Sequence, residues 1–142
     1  MIGLDSNILV QLAFVDHPAH AKTVALINAE TAKDTKLVLP SFVINEFLHV
    51  VTDARRFTPP LTMIEALDWV EEFLNKPAVT LVEPDSKSFH RTLELLREFN
   101  LGRKRILDTH LAAVLLSCNI QRLLTSNQAD FAIFKDLETI SP

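Results

Sequence analysis

Short apolar runs alternate with longer amphipathic stretches along this chain. The first ten residues are apolar except around Asp5, which predicts a short buried strand that ends in a carboxylate at a turn. Similar runs predict further strands over 36–39, 79–82, 121–124 and 137–140. Amphipathic stretches bounded by proline, glycine and capping residues predict helices over 7–14, 19–32, 42–51, 62–75, 86–99 and 106–119, with a helical turn before the last strand.

Strands that are separated by helices are typical of a parallel sheet between two layers of helices. We therefore expect an α/β protein with three layers, α/β/α, and a central parallel sheet of four to five strands. The 142 residues are 48% hydrophobic, enough to form one core, so residues 1–142 are expected to be a single domain. Ser41 is expected to cap the helix after the second strand, and Ser6 or Asn7 the helix after the first.

The composition excludes several classes of protein. The only glycines are Gly3 and Gly102, so neither a Walker loop nor a dinucleotide-binding fingerprint can be built. The single cysteine, Cys118, cannot form an internal disulfide, and its apolar surroundings predict a buried thiol. The longest apolar run, 111–118, is too short to cross a membrane, and no leader-like segment is present. We expect a soluble, cytoplasmic protein.

Two acids lie where a helix would bury apolar side chains. Glu46 shares a helical face with Phe42, Val43 and Val50, and Asp108 shares one with the apolar positions three, four and seven residues later. Each acid also has a purely structural interpretation. Glu46 could lie at the edge of the apolar face of its helix and extend into water. Asp108 could stabilise its helix by lying near the positive, N-terminal end of the helix dipole. Asp5 by itself fits a helix cap.

The predicted fold brings these acids to one edge of the sheet. Asp5 ends the first strand, Glu46 lies early in the helix after the second strand, and residues 125–130 follow the fourth strand. Asp108 begins the helix that runs back to that fourth strand. We expect these groups to share a cleft with no lysine or arginine among them. Crowded carboxylates with oxygen donors favour Mg²⁺ or Mn²⁺, which suits phosphodiester hydrolysis by a metal-activated water.

The charge of the chain limits how a polyanion could bind. The net charge is −4, so RNA or DNA would need a local basic patch. Two short runs are candidates, although runs of this length are often solvated loops. They consist of Arg55 and Arg56, and of Arg103, Lys104 and Arg105.

Four polar segments occur in the order found in one family of nucleases. They are Asp5-Ser6-Asn7, Asn45-Glu46-Phe47, the segment around Asp108 at 107–113, and the segment 125–131 from Thr125 through Asn127 and Asp130 to Phe131. Together they resemble the PIN-domain family, most closely the VapC toxins of bacterial type II toxin–antitoxin systems. The resemblance covers essentially the whole chain.

The resemblance implies an endoribonuclease that depends on Mg²⁺ or Mn²⁺, forms a homodimer, and is inhibited by a small cognate antitoxin in its cleft. Asp5, Glu46 and Asp108 would be the metal ligands, and Ser6, Asn7 and Thr125 would support them. Many relatives carry an acid where this chain has Asn127. A second metal site is therefore weakened unless Asp130 compensates, which leaves one or two ions.

Two other functions remain open. The chain could be a PIN-like interaction module without catalytic activity, or a PIN nuclease of RNA processing that is not a toxin. A di-iron site at Glu46 and His49 is disfavoured because such sites need the motif twice. His17 and His20 flank a proline and are expected on the surface.

Overall fold

Five short parallel strands form one sheet in the computed structural model, which describes residues 1–142. The strands are β1 (Ile2–Leu4), β2 (Leu37–Pro40), β3 (Val79–Val82), β4 (Arg122–Leu124) and β5 (Glu138–Ile140), and their order in the sheet is β3-β2-β1-β4-β5. The helices are α1 (Ser6–Ala13), α2 (His20–Thr31), α3 (Ser41–Val51), α4 (Met63–Leu74), α5 (Ser86–Glu98), α6 (Ile106–Ser117) and α7 (Gln128–Phe131). The predicted α/β fold with a parallel sheet is confirmed.

The centre of the sheet is β1, which pairs with β2 on one side and with β4 on the other. All residues of β1 and β2 are buried, as expected for strands covered by helices on both faces. Gly3 allows α6 to approach β1 closely, because a Cβ atom at this position would lie 2.5 Å from Cδ1 of Leu115. The chain runs from β1 to β2 and β3 on one side and then crosses to β4 on the other side of β1, and this change of direction opens a crevice at the carboxyl ends of β1 and β4.

Helix starts differ in detail from the sequence prediction. Thr62 caps α4 in a capping box with Glu65. The capping role predicted for Ser41 is wrong, because Ser41 is the first residue of α3 and its hydroxyl donates to Oε2 of Glu83 at 2.5 Å. Strand β2 runs into α3 without a loop, so Pro40 occupies the cap position.

Two further predictions need correction. Ser6 and Asn7 do not cap α1, which begins at Ser6 itself. Cys118 is exposed rather than buried, because α6 ends at Ser117 and the cysteine lies just beyond the buried part of the helix. No helix is long and apolar enough to cross a membrane.

Candidate active site

Asp5 lies at the carboxyl end of β1 and is almost completely buried, with 6% of its surface exposed. Its Oδ2 atom accepts hydrogen bonds from Oγ1 of Thr125 at 2.6 Å and from Nδ2 of Asn7 at 2.7 Å. Burial raises the pKa of Asp5 above its usual value, although these hydrogen bonds oppose the shift. The side chain does not cap α1. Asp5 is therefore a buried carboxylate directed into the site.

Glu46 and Asp108 lie in the electrostatic field of Asp5. Burial is the main cause that raises the pKa of Glu46, and the charges of Asp5 and Asp108 raise it further. Burial is also the main cause that raises the pKa of Asp108, and the charges of Asp5 and then of Asp130 raise it further. The Ser6 hydroxyl opposes the shift at Glu46. Asp5 is thus close enough to disfavour ionisation of Glu46 and Asp108, and Asp108 is close enough to disfavour ionisation of Glu46.

The acids share an open cleft of about 480 Å³ at the carboxyl edge of the sheet. Its lining contains Asp5, Ser6, Asn7, Val10, Gln11, His17, Glu46, Val50, Arg56, Phe57, Asp108 and Asn127. In the observed side-chain positions, no group of three or more acidic, histidine or cysteine side chains is close enough together to hold a metal ion. The carboxylates therefore converge on the cleft without forming a closed ligand cage.

The loop after β4 is attached to the start of α1. Thr125 is fully buried, and its Oγ1 atom accepts from the backbone N–H of Asn127 at 2.9 Å while donating to Asp5. Asn7 completes the attachment, because its Oδ1 atom accepts from the backbone N–H of Ser126 at 3.1 Å. Thr125 and Asn7 thus position Asp5 and bring Asn127 to the cleft.

Gln11 is a positioning residue that the sequence analysis missed. It is buried, and its Nε2 atom donates to Oγ of Ser126 at 2.7 Å. Its Oε1 atom accepts from Oγ1 of Thr23 at 2.7 Å, which ties α1 to α2. Gln11 follows Asn7 by four residues, so a shared helical face was the available signal.

His17 also belongs to the cleft. It was expected on the surface, but it is half-buried and lines the cavity that contains the acids. Its Nδ1 atom accepts from the backbone N–H of Ala19 at 3.1 Å. Because Nδ1 is the acceptor, the neutral ring carries its proton on Nε2, which remains available as a donor.

The basic residues of the two predicted runs differ in whether they line the cleft. Arg55 forms an exposed ion pair with Asp53 at 2.9 Å, whereas Arg56, 3.7 Å from the same acid, lines the cleft. Arg103 and Lys104 are exposed on a 3₁₀ turn and do not line the cleft. The predicted phosphate patch is thus represented in the cleft by Arg56 alone.

Arg56, which lines the cleft, and Arg105, which contacts Asp108, contradict the expectation that no cation lies among the acids. The Nε atom of Arg105 is 3.4 Å from Oδ2 of Asp108, and its Nη1 atom is 3.7 Å from Oδ1 of Asp130. Asp130 lies in α7 and does not line the cleft. An arginine therefore lies beside Asp108, outside the lining of the cleft.

The fold and the cleft define an open parallel α/β protein whose acidic residues meet at the topological switch point of the sheet. A family model described as PIN domain matches residues 2–137. The chain belongs to the PIN domain family, which confirms the resemblance noted in its sequence.

Similar proteins and structures agree with this membership. The chain is 31% identical over its full length to VapC ribonuclease Mb2897 of Mycobacterium bovis, covering 95% of that protein. It is 28% identical over its full length to ribonuclease VapC33 of Mycobacterium tuberculosis, covering 98% of it. The structure of VapBC2 from Rickettsia felis, bound to a promoter DNA fragment, has a TM-score of 0.74 at 20% identity, with 99% of this chain and 98% of that chain covered.

Proposed function

We propose that the protein is a divalent-metal-dependent endoribonuclease and the toxin of a toxin–antitoxin pair. The observation that carries the proposal is the convergence of Asp5, Glu46 and Asp108 on one cleft, where the charge of Asp5 raises the pKa of both other acids. Such a cluster of buried negative charge is stabilised when a cation enters it. Every candidate donor is an oxygen atom, which favours Mg²⁺ or Mn²⁺ over softer metals.

We assign Asp5, Glu46 and Asp108 as the metal ligands and Asn127 as a neutral helper that also lines the cleft. A bound Mg²⁺ or Mn²⁺ supplies activation of water and stabilisation of the charge that develops on a phosphate. Thr125 and Asn7 hold Asp5 by two short hydrogen bonds, so this ligand is oriented before any ion arrives. Asp130 acts on Asp108 from outside the cleft.

Other side chains that line the cleft with the acids suit a nucleic acid. Arg56 and the Nε2 donor of His17 can contact phosphate oxygens within the same cleft. Phe57 also lines the cleft, and its ring is stacked on Phe14 with centroids 4.2 Å apart. A rigid aromatic surface beside basic groups is a common platform for an unpaired base. These features support RNA as the substrate of an acidic protein.

The toxin role rests on the relatives. Both Mb2897 and VapC33 carry the name VapC, and similar structures include a toxin–antitoxin complex from Klebsiella pneumoniae and VapBC-1 from nontypeable Haemophilus influenzae. We therefore propose a cognate VapB-type antitoxin that covers the cleft, a homodimer, and action in the cytoplasm, where the RNA is found.

The test uses purified protein freed of any co-purifying partner and a pool of structured RNAs with Mg²⁺, Mn²⁺ or EDTA. Cleavage should require the metal and should fall at least about 100-fold in Asp108→Asn, as expected when a ligand that acts on the transition state is lost. The matched control is Asp136→Asn, which removes an exposed aspartate outside the cleft and should cleave normally. Equal cleavage by Asp108→Asn and the native protein would contradict the assignment.

Metal titration separates an enzyme from an inactive PIN module. The native protein should gain thermal stability with Mn²⁺, because a ligand that binds only the folded state raises Tm. If the protein cleaves RNA but no small, antitoxin-sized protein is encoded beside its gene, a role in RNA processing is favoured instead.

A further inference from the structure

Arg105 contacts Asp108 from the turn that precedes α6, although it does not itself line the cleft. Its side chain is 23% exposed, whereas that of Arg55 in an ordinary surface pair is 86% exposed. It lies between Asp108, which lines the cleft, and Asp130, which does not. The protein therefore places the permanent positive charge of a guanidinium group on one side of its proposed metal site.

The contacts of Arg105 differ from those of a structural arginine. Arg122 forms two hydrogen bonds with the Glu30 carboxylate, at 2.9 and 3.0 Å. The nearest approaches of Arg105 to its two acids are 3.4 and 3.7 Å, and its buried Nε and Nη2 atoms have no hydrogen-bond partner. Strong charge-assisted hydrogen bonds are shorter than this. Arg105 is therefore held mainly by charge, without the two-point geometry that fixes Arg122.

We propose that Arg105 is a built-in counter-cation that takes the place of a second metal ion beside Asp108 and Asp130. The proposal rests on the proposed function, since it concerns the number of ions at that same site. When ionised, Asp5, Glu46, Asp108 and Asp130 carry a charge of −4, which Arg56 in the cleft lining and Arg105 beside Asp108 reduce to −2. One divalent ion neutralises this charge, whereas a second would leave an excess of positive charge beside the guanidinium of Arg105.

Asn127 also favours a single ion at this site. It lines the cleft and directly precedes α7, which contains Asp130, but its side chain carries no negative charge. An additional cation on that side would have to share Asp108 and Asp130 with Arg105. The native site is therefore a one-ion site, and its single ion is held by Asp5, Glu46 and Asp108.

Arg105→Gln tests the proposal through binding of Mn²⁺ alone, measured by the paramagnetic resonance signal of the free ion. The native protein should bind one Mn²⁺ per chain. Arg105→Gln should bind two, and its first ion should bind about tenfold more tightly, because a like charge within several ångströms has been removed. Arg105→Met provides a second neutral variant if the glutamine form is unstable.

The matched control is Arg103→Gln, which removes the same charge from an exposed residue of the same turn. This variant should keep the native stoichiometry and affinity. Arg105→Lys, which retains the positive charge, should also bind one ion.

The possible results separate the two proposals. Two ions bound by the native protein, two bound by Arg105→Lys, or equal Mn²⁺ binding by Arg105→Gln and Arg103→Gln would overturn the role of Arg105 and leave the nuclease intact. No Mn²⁺ binding by the native protein would contradict the metal site itself, and the role of Arg105 with it.

Discussion

Replacing Asp5 by asparagine should stabilise the metal-free protein. Asp5 is the most buried of the three acids in the cleft, and its charge raises the pKa values of both Glu46 and Asp108. Removing that charge relieves repulsion at two sites and avoids the cost of keeping a carboxylate away from water. A residue retained only for structure would show the opposite effect.

The substitution preserves the hydrogen bonds that matter most. The two short bonds, from Thr125 and Asn7, both reach the Oδ2 atom, and an asparagine oxygen in that position can accept both. The amide nitrogen would then replace Oδ1, which accepts from the Ser6 hydroxyl at 3.4 Å, and the backbone N–H of Ser6, which also bonds to the carboxylate, would face a neutral amide. That hydroxyl can rotate to accept a hydrogen bond. The change therefore removes charge with little disturbance of shape.

The magnitude follows from Coulomb's law. Two carboxylates about 6 Å apart repel each other by roughly 1.5–3 kcal/mol in an effective dielectric constant of about 20–40. Weaker hydrogen bonds to a neutral amide offset about 1 kcal/mol of the gain. A net stabilisation of about 1 kcal/mol corresponds to a rise of about 3 °C in Tm for a domain of this size.

The effect should depend on pH with a definite sign. The pKa of Asp5 is raised in the folded protein, so the charged form destabilises the fold increasingly as the pH rises through that value. Below the ordinary pKa of 3.8 the carboxyl group is protonated in both states, and the penalty is absent. The gain in stability that Asp5→Asn gives over the native protein should therefore be small near pH 4 and largest at neutral pH.

Thermal melting in EDTA from pH 4 to 8 measures the effect. Asp16→Asn, which alters an exposed aspartate in the turn after α1, is the matched control and should leave Tm within about 1 °C of the native value. Mn²⁺ should raise Tm of the native protein and have little effect on Asp5→Asn. A lower Tm for Asp5→Asn in EDTA, or an advantage that does not grow with pH, would refute the reasoning.

Two further substitutions test the packing and the electrostatics of the fold. Gly3→Ala should lower the free energy of unfolding by about 1–3 kcal/mol, because its Cβ would overlap the fully buried Leu115, whereas Gly102→Ala meets nothing within 4 Å and should be nearly neutral in the same urea titration. Arg122 lowers the pKa of Glu30 to about 2, so their pair stabilises the fold above the ordinary pKa of 4.5 and loses its effect as the pH falls towards 2. Arg122→Gln should therefore cost about 2 kcal/mol at pH 7 and progressively less in acid, and an equal cost at pH 3 would contradict the assignment.

The order and type of the secondary-structure elements could be predicted because each has a strong local pattern. The central strands are continuous apolar runs, and α4 begins with a complete capping box. The first residues of α1 and α3 could not be predicted by the same rules. Both helices follow a strand directly, so the last strand-like residue, Asp5 or Pro40, has the extended backbone of a cap position but makes no side-chain capping bond.

The burial of Cys118 was mispredicted for a related reason. Apolar periodicity indicates which face of a helix is covered, but it does not identify the residue at which the helix leaves the core. Helix α6 remains buried through Leu115 and ends at Ser117, so the cysteine lies beyond the covered segment. The position of a helix end depends on the packing of neighbouring elements, which is not a local property.

The acids of the site were predictable because topology alone brings them together. The carboxyl ends of parallel strands meet at one edge, and a helix that precedes a strand begins at the edge where that strand ends. The contributions of Gln11 and His17 required tertiary contacts. Gln11 acts through Ser126, more than one hundred residues away, and His17 enters the cleft because its turn folds back over α1.

The same topological argument that places Asp108 in the cleft also places Arg105 beside it. Helix α6 begins at the carboxyl edge of the sheet, so the turn immediately before it must lie at that edge as well. Residues three apart at a helix start are neighbours, which brings the guanidinium to Asp108, while α7 follows β4 and brings Asp130 to the other side. A basic triplet next to a helix that begins with a buried acid should therefore be considered as a source of counter-charge before it is assigned to a solvated loop or to phosphate binding.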